Sequence, residues 1–344
     1  NLSSGMASPV TGAGDPWRHF DSLCAGDNDL FFIAGYADRL PAIDQLTIAT
    51  GKSSSLALAA ETSIEAEISV AEPISYPTRD GGHSYAYFYP PANAHCRGPD
   101  SELPPLLVMS HGGPTAAASS SLQLKIQYYT SRGWSVLDVN YRGSSGFGRS
   151  YRNALNGRWG ELDVWDCEDG VRFLAGQRRI DPNRVAIRGG SAGGFTTLAA
   201  LCTTTTFKSG ASHYGIGDLT ALANDTHKFE SRYLHTLLAN EDNLKARSPI
   251  NHLDGLSCPV IFFQGGEDKV VPPNQAEAMV AALKKKQIPV AYLLFPEEGH
   301  GFRAAANIVR ALESEFVFFS RIFGIHPAEE LPEVEIFNAG ESNA

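Results

Sequence analysis

The chain has 344 residues, of which 43% are hydrophobic and 19% are charged, values typical of a soluble globular protein. Its formal net charge of −10 argues against nucleic acid as a partner. No apolar run reaches the length of a membrane span, and no signal peptide with a basic start and an apolar segment is visible, so we expect no membrane partner.

Cysteine usage points to a reducing compartment. The five cysteines are scattered along the chain, at Cys24, Cys96, Cys167, Cys202 and Cys258. None belongs to a Cys-x-x-Cys pair, which is the spacing typical of zinc sites. We therefore expect free thiols, no metal and a cytoplasmic location.

The N-terminal part of the chain is predicted to be poor in helix. Residues 1 to about 28 are rich in Gly, Ser, Ala and Asp and are expected to be irregular. Three short strands are then predicted, at 29–34, 42–48 and 64–70. Three such strands resemble one blade of a β-propeller, which needs roughly four to eight blades to bury its faces. We interpret 1–73 as the C-terminal remnant of a propeller and a linker; strands recruited by another sheet are the alternative.

After an extended linker at 73–77, set by its prolines, strands and helices alternate. The predicted strands are 84–89, 106–110, 135–140, 184–187, 209–214, 260–264 and 290–295. The predicted helices are 122–132, 164–177, 274–286 and 307–323. This alternation is typical of an α/β fold with a largely parallel sheet and helices on both faces. We assign 74–325 to this domain and expect 326–344 to form a loose acidic tail.

A candidate nucleophile lies at Gly189-x-Ser191-x-Gly193, between the strand at 184–187 and a helix that begins near Phe195. A strand, a Gly-rich turn and a helix are the context that the nucleophile-elbow motif requires. Nearly side-chain-free neighbours permit the strained turn, and the helix N-terminus favours negative charge. The competing interpretation is a Gly-rich turn that happens to contain a serine.

A serine hydroxyl needs a base and a group that orients the base. In α/β-hydrolases the chain order is Ser, then Asp or Glu, then His, each following a strand. Asp268 follows the strand at 260–264, where Glu267 competes with it and a capping carboxylate is the alternative role. His300 follows the strand at 290–295 and lies between two glycines.

Acyl transfer also needs donors for an oxyanion. The N–H of Ala192, directly after the nucleophile, is one candidate. The second is the N–H of Gly113 in the turn His111-Gly-Gly-Pro114, which follows the strand at 106–110. His111 is interpreted as a structural hydrogen-bonding residue, because it precedes the elbow and so breaks the chain order expected of a base.

Five ordered motifs together resemble one known family: His111-Gly-Gly-Pro114, Asn140-Tyr-Arg-Gly-Ser-Ser-Gly-Phe-Gly148, Gly189-Gly-Ser-Ala-Gly-Gly194, Gly266-Glu-Asp-Lys-Val-Val-Pro-Pro273 and Glu298-Gly-His-Gly301. Over about residues 74–325 the chain is similar to the catalytic domain of prolyl oligopeptidase family serine peptidases. The similarity is to the branch with acylaminoacyl peptidases and dipeptidyl aminopeptidases. The resemblance implies an α/β-hydrolase fold in which Ser191 is the nucleophile, Asp268 the acid and His300 the base. It also implies oxyanion donors at Gly113 and Ala192, and a preceding propeller of which this chain carries only the end.

Substrate-contacting residues are expected between the elbow and the acid, where Tyr214, Phe229 and Tyr233 are candidates for the pocket; a plain core role is the alternative for each. Val270 stands where some acylaminoacyl peptidases carry an arginine that contacts the substrate backbone. Arg142 is another candidate for that basic contact, although support of its own Gly-rich loop competes with this role.

The sequence therefore predicts a serine peptidase that hydrolyses short peptides through an acyl-enzyme, with no cofactor. A carboxylesterase of broad specificity on the same triad is the first alternative, and a non-catalytic binding protein is the second. The expected partner is a short peptide substrate. A missing propeller segment of the same protein is a further candidate partner, and a homo-oligomer stays open.

Overall fold

The computed structural model describes residues 16–59, 67–225 and 233–339. Within these ranges the chain forms two sheets. The strands of the smaller sheet are β1 (Trp17–Ala25), β2 (Asp29–Tyr36), β3 (Ala42–Thr47) and β4 (Lys52–Leu58). They pair antiparallel in chain order, as in a propeller blade.

The smaller sheet confirms the strands predicted near 29–34 and 42–48 and corrects two other expectations. The segment expected to be irregular contains β1, whose Trp17 ring packs edge-on against Phe32 at 5.2 Å. The third strand is β4 and not 64–70. Residues 64–66 lie outside the described residues, and 67–70 have no strand structure. The serine-rich β4 has no apolar alternation, so only its pairing with β3 reveals it.

The larger sheet begins at residue 72 and continues to residue 295. Its strands are β5 (Glu72–Pro77), β6 (His83–Tyr89), β7 (Leu106–Ser110), β8 (Ser135–Asn140), β9 (Val185–Gly190), β10 (Ser209–His213), β11 (Val260–Gly265) and β12 (Val290–Phe295). The helices are α1 (Leu124–Thr130), α2 (Arg149–Asn153), α3 (Leu162–Gly176), α4 (Ala192–Thr203), α5 (Leu219–Asp225), α6 (Tyr233–Leu238), α7 (Asp242–Arg247), α8 (Asn274–Lys285) and α9 (Ala305–Ile322). Two short 3₁₀ turns, Pro249–Asn251 and Leu253–Gly255, precede β11.

The strand order β12-β11-β10-β9-β7-β8-β6-β5 is parallel from β12 to β8 and antiparallel in β6 and β5. Alternate residues of the central strands enter two separate cores. Val185 and Ile187 pack with α3, α4 and α8, whereas Ala186 packs with α1 and α9. Helices therefore cover both faces, and the carboxyl ends of β9, β10 and β11 meet at one edge of the sheet.

Two segments outside the central sheet differ from expectation. The segment at 73–77, expected to be a linker, belongs to β5, and its prolines are tolerated because β5 is an edge strand. The tail is not loose over its described part: Val334 is buried, and Phe337 exchanges two backbone hydrogen bonds with Val290. Apolar residues within the acidic tail explain this packing.

All five cysteines are free thiols, as expected. None of the helices in the described ranges combines the length and the apolarity needed to cross a bilayer.

Candidate active site

Ser191 lies at the sharp turn between β9 and α4. Its φ of 55° and ψ of −122° are angles that residues with side chains rarely adopt. A methyl group at Gly189 would overlap the carbonyl of Gly193, and one at Gly193 would overlap the carbonyl of Ser110. Glycine is therefore required at both positions, which is the physical origin of the Gly-x-Ser-x-Gly spacing.

Asp268 and His300 meet at the carboxyl ends of β11 and β12. The Asp268 carboxylate is fully buried, and its Oδ2 lies 2.8 Å from His300 Nδ1. Its Oδ1 accepts the backbone N–H groups of Val270 and Val271, both at 2.9 Å. Glu267, the competing acid, is exposed. This geometry orients the His300 ring through Nδ1 and leaves Nε2 for proton transfer.

Tyr214 connects the elbow with His300. It follows β10 with a φ of 39°, and its ring lies edge-on to the His300 ring at 4.9 Å. A methyl group at Gly190 would come within 3.0 Å of the same tyrosine ring. The backbone N–H of Ser191 donates to the carbonyl of His213 at 3.0 Å. The end of β10 therefore touches both the nucleophile's backbone and the histidine.

The turn after β7 passes beside Ser191. A methyl group at Gly112 would lie 3.6 Å from Ser191 Cβ. Gly113 has a φ of 114°, and a methyl group there would come within 2.7 Å of the Ala116 nitrogen. Ala192 is the first residue of α4, where backbone N–H groups have no partner within the helix.

The His111 side chain connects this turn to the loop that contains Ser144. Its Nδ1 lies 2.9 Å from the Gly112 carbonyl oxygen and its Nε2 lies 2.6 Å from Ser144 Oγ. The ring stacks on Tyr141 at 4.3 Å. Burial lowers the pKa of His111 to about 4, against the raising effect of the Gly112 hydrogen bond, so the ring is neutral near pH 7. These contacts fit the structural role expected for His111.

The three aromatic residues expected to contact the substrate differ in what the structure describes. Phe229 lies outside the described residues. The Tyr233 hydroxyl lies 2.6 Å from Thr115 Oγ1, so α6 contacts the turn that holds Gly113. Tyr214 and Tyr233 are therefore both tied to parts of the candidate site.

Arg142 has a different role from a substrate contact. Its Nε and Nη2 bind Asp166, whose side chain is fully buried, and its Nη1 binds Asp80 at 2.7 Å. Two carboxylates therefore occupy the guanidinium. The support of its own Gly-rich loop matches these contacts, and the substrate-contact interpretation does not.

Two supporting residues were not identified from the sequence. The Tyr141 hydroxyl donates to the Pro114 carbonyl at 2.8 Å and so fixes the turn beside Ser191. The Glu298 carboxylate accepts the N–H groups of Arg303 and Ala304 and closes the loop that carries His300. Both residues stand in the motifs quoted from the sequence, but neither contact has a signal in the local sequence that could have identified it.

The chain is similar to known proteins over most of the larger sheet. The model of the Prolyl oligopeptidase family matches residues 120–326, more than half of the chain. The Dipeptidyl peptidase family member 6 of Caenorhabditis elegans is 37% identical over 213 residues, covering 59% of this chain and 29% of that protein. The Dipeptidyl aminopeptidase BIII of Pseudoxanthomonas mexicana is 34% identical over 247 residues, covering 68% and 36%. This chain therefore spans well under half the length of these relatives.

A solved structure agrees over nearly the whole chain. The puromycin-hydrolyzing peptidase of Mycobacterium tuberculosis superposes with a TM-score of 0.90 and 40% identity, covering 94% of this chain and 50% of that one. The similarity includes the mostly parallel sheet with helices on both faces and confirms the predicted α/β-hydrolase fold class. With the family match over 120–326, it also confirms the resemblance drawn from the five motifs: the chain belongs to the prolyl oligopeptidase family.

Proposed function

We propose that this chain is a serine peptidase that hydrolyses short peptides through an acyl-enzyme. The observation that carries the proposal is the 2.8 Å contact between Asp268 and His300 at the sheet edge where Ser191 is held in a strained turn. Nucleophile, base and orienting acid follow one another in the chain order of α/β-hydrolases.

The proton moves along a short path in this mechanism. His300 Nε2 takes the proton of Ser191 Oγ as the oxygen attacks the scissile carbonyl, and then gives it to the leaving amine. Asp268 holds the Nδ1–H of His300 and stabilises the imidazolium that forms. A water molecule, deprotonated by the same Nε2, then releases the acyl group.

The oxyanion of the tetrahedral intermediate binds to the N–H groups of Gly113 and Ala192. Support comes from the turn after β7, which passes beside Ser191, and from the position of Ala192 at the start of α4. The positive end of the α4 dipole adds to the stabilisation of negative charge. Removal of one such donor typically costs about 3 kcal/mol in the transition state.

The substrate is an amide of an amino acid or a short peptide. Support comes from the names of the relatives, which are dipeptidyl peptidases, acylamino-acid-releasing enzymes and a puromycin-hydrolyzing peptidase. We assign Tyr214 and Tyr233 to the pocket for the residue whose carbonyl is attacked, and we assign Phe229, which lies outside the described residues, to the same pocket.

The smaller sheet belongs to a propeller that limits access to this pocket. We assign 1–73 to the propeller end, 74–325 to the catalytic domain and 326–344 to the tail. Further propeller blades of the same protein are then the natural partner of β1 and β4, and a cytoplasmic location suits the free thiols.

A fluorophosphonate probe and two substrate classes test this function. The wild-type protein is expected to be labelled, Ser191→Ala is expected to lose labelling, and Ser150→Ala, which changes an exposed serine on α2, is expected to keep it. Aminoacyl-anilides, N-acetylated peptide anilides and puromycin are then compared with p-nitrophenyl esters. Absence of labelling excludes a serine hydrolase, and turnover of esters alone favours a carboxylesterase.

A further inference from the structure

A buried charged group lies beneath the elbow and plays no part in the mechanism above. Its centre is Glu315 of α9, which is fully buried. Its Oε1 accepts the Tyr129 hydroxyl at 2.7 Å and lies 3.3 Å from Arg188 Nε. Its Oε2 lies 2.5 Å from His213 Nε2. The carboxylate therefore has one partner from α1, one from β9 and one from β10.

The charge states of this group follow from its surroundings. Burial raises the pKa of Glu315, but Arg188 and His213 lower it by more, so the pKa is below its usual range and the carboxylate is ionised. Burial and the Arg188 charge lower the pKa of His213, against the raising effect of Glu315. His213 Nε2 lies 2.5 Å from Glu315 Oε2 and 3.2 Å from Arg188 Nη2, so one ring nitrogen contacts both the carboxylate and the guanidinium.

Both strand partners of Glu315 are adjacent to the catalytic residues. Arg188 stands three residues before Ser191 on β9, and the carbonyl of His213 accepts the Ser191 N–H at 3.0 Å. The His213 ring is also stacked on Phe263 of β11 at 4.5 Å. Tyr214, the next residue, touches both Gly190 and the His300 ring.

We propose that Glu315 is a positioning residue for the reaction: it clamps Arg188 and His213, and through them sets the Ser191 backbone and the Tyr214 ring against His300. This inference rests on the proposed function. The clamp differs from simple core packing because an ionised carboxylate is costly to bury unless its partners are well placed. Two of these partners, Arg188 and His213, lie next to the elbow.

The sharpest test is Glu315→Gln compared with Glu168→Gln. Glu168 of α3 is the matched control, since it is also a buried carboxylate that pairs with arginines. Its partners are Arg172 of α3 and Arg79 in the turn between β5 and β6, and neither arginine belongs to the elbow. Glu315→Gln is expected to lose on the order of tenfold to hundredfold in kcat and in the rate of fluorophosphonate labelling, because small misplacements of reacting groups cost that much. KM is expected to stay within about twofold, since the loss falls on the transition state. Glu168→Gln is expected to keep wild-type kcat at temperatures well below its melting point.

A second measurement does not depend on turnover. The Nδ1 proton of His300, bonded to Asp268, is expected to give a downfield proton resonance that is assigned by its loss in His300→Gln. Glu315→Gln is expected to shift or broaden this resonance, and Glu168→Gln is expected to leave it unchanged. A purely structural role for Glu315 would lower the melting temperature and move neither kcat nor this resonance.

Tyr129→Phe keeps the proposal testable if Glu315→Gln does not fold. It removes only one donor from α1, far along the chain from the elbow, and is expected to lower kcat by about threefold to tenfold with KM unchanged. Wild-type kcat and an unchanged His300 resonance in every folded variant overturn the inference while the proposed function stands. Absence of labelling and turnover in the wild type overturns the proposed function. In that case the His300 proton resonance of the variants alone tests whether Glu315 positions His300.

Discussion

The two sheets of this chain bury their strands to very different extents. In the larger sheet every residue of β7, β8, β10 and β11 is buried, and helices cover both faces. In the smaller sheet every residue of β1 except Trp17 is exposed, as is every residue of β4. A strained backbone persists only where its surroundings determine it from several sides. The larger sheet encloses Ser191 at its φ of 55° and ψ of −122°, whereas the positive φ of Ser22 in β1, 52°, lies at an exposed position whose N–H donates to the neighbouring Asp21.

The smaller sheet is held instead by one polar cluster. Asp44 is buried and accepts the Trp17 indole N–H at 2.6 Å, the Tyr36 hydroxyl at 2.5 Å and the Ser55 hydroxyl at 2.7 Å. These bonds connect all four strands around a small apolar core. Among the described residues, the smaller sheet contacts the larger domain where the Leu122 N–H donates to the Tyr36 carbonyl at 2.6 Å and where Gly35 lies against Ser121. The two sheets are thus expected to respond independently to mutation.

The largest expected effect separates catalysis from stability. Ser191→Ala is expected to lower kcat by about 10⁶-fold, because the nucleophile is lost while binding groups remain. Alanine meets the same backbone strain and the same neighbours as serine, so the melting temperature and the amide exchange of both sheets should stay at wild-type values. Turnover of an aminoacyl-anilide measures the loss of kcat, and calorimetry measures the melting temperature. Residual turnover near the wild-type rate would assign the nucleophile elsewhere.

Gly113→Ala tests the oxyanion turn of the larger sheet. The added methyl group would press on the Ala116 nitrogen and must displace the turn, so the donor N–H moves away from the intermediate. The loss of one donor predicts a fall in kcat on the order of a hundredfold, about 3 kcal/mol. Gly81→Ala is the matched control: its φ is also positive, at 85°, but a methyl group there meets nothing within 4 Å.

In that comparison, Gly81→Ala is expected to destabilise the protein modestly and to keep the wild-type kcat. Equal kcat values for the two variants would contradict the assignment of the Gly113 N–H as an oxyanion donor.

The same contrast in burial explains what could be predicted from the sequence. The bounds of β7, β8 and β12 were predicted to the residue, and β7 and β12 are the near-continuous apolar runs that are typical of strands in a parallel sheet. β1 and β4 were missed because their exposed residues follow no apolar pattern and only pairing defines them. β5 was predicted to be a linker because it contains two prolines. Prolines are compatible with an edge strand, but the edge position of β5 is known only from the structure.

The candidate site divides in a similar way. Ser191, Asp268 and His300 could be proposed because each stands in a short motif that follows a strand, and their order along the chain is informative. Their assignment remains a prediction, although the structure brings Asp268 to His300. The clamp around Glu315 could not be found, because Tyr129 and Glu315 are 186 positions apart and only the packing of α1 and α9 brings them together.

Asp44→Ala is expected to weaken the smaller sheet alone. It leaves the buried Trp17 and Tyr36 donors without their acceptor, and bonds to a charged group of this kind predict a loss of about 3 kcal/mol. Amide exchange should accelerate in β1–β4 and stay unchanged in β9–β11, with kcat within about twofold of wild type, because the sheets open as separate units. Ser55→Ala, which removes one exposed donor, is the control and should cost less than about 1.5 kcal/mol. Faster exchange in β9–β11 as well would mean that the two sheets unfold together.

The smallest effect concerns pH and the turn beside Ser191. Burial lowers the pKa of His111 to about 4, whereas an unfolded histidine titrates near 6.5. As pH falls through this window the unfolded chain binds the proton first, so the stabilisation by His111 is complete above about pH 6.5 and is lost toward pH 4. The stability advantage of wild type over His111→Gln should therefore shrink by about 2 kcal/mol between pH 7 and pH 5.

The comparison with His111→Gln is needed because other buried groups titrate in the opposite sense. Burial raises the pKa values of Asp138 and Asp163 to about 6, so the folded state binds their protons first and gains stability on acidification. Both aspartates are present in wild type and variant, and their contributions cancel in the difference. Denaturant unfolding of the two proteins at several pH values measures it. A difference that stays constant from pH 7 to pH 5 would mean that water reaches the His111 ring and that the turn beside Ser191 is looser than its contacts indicate.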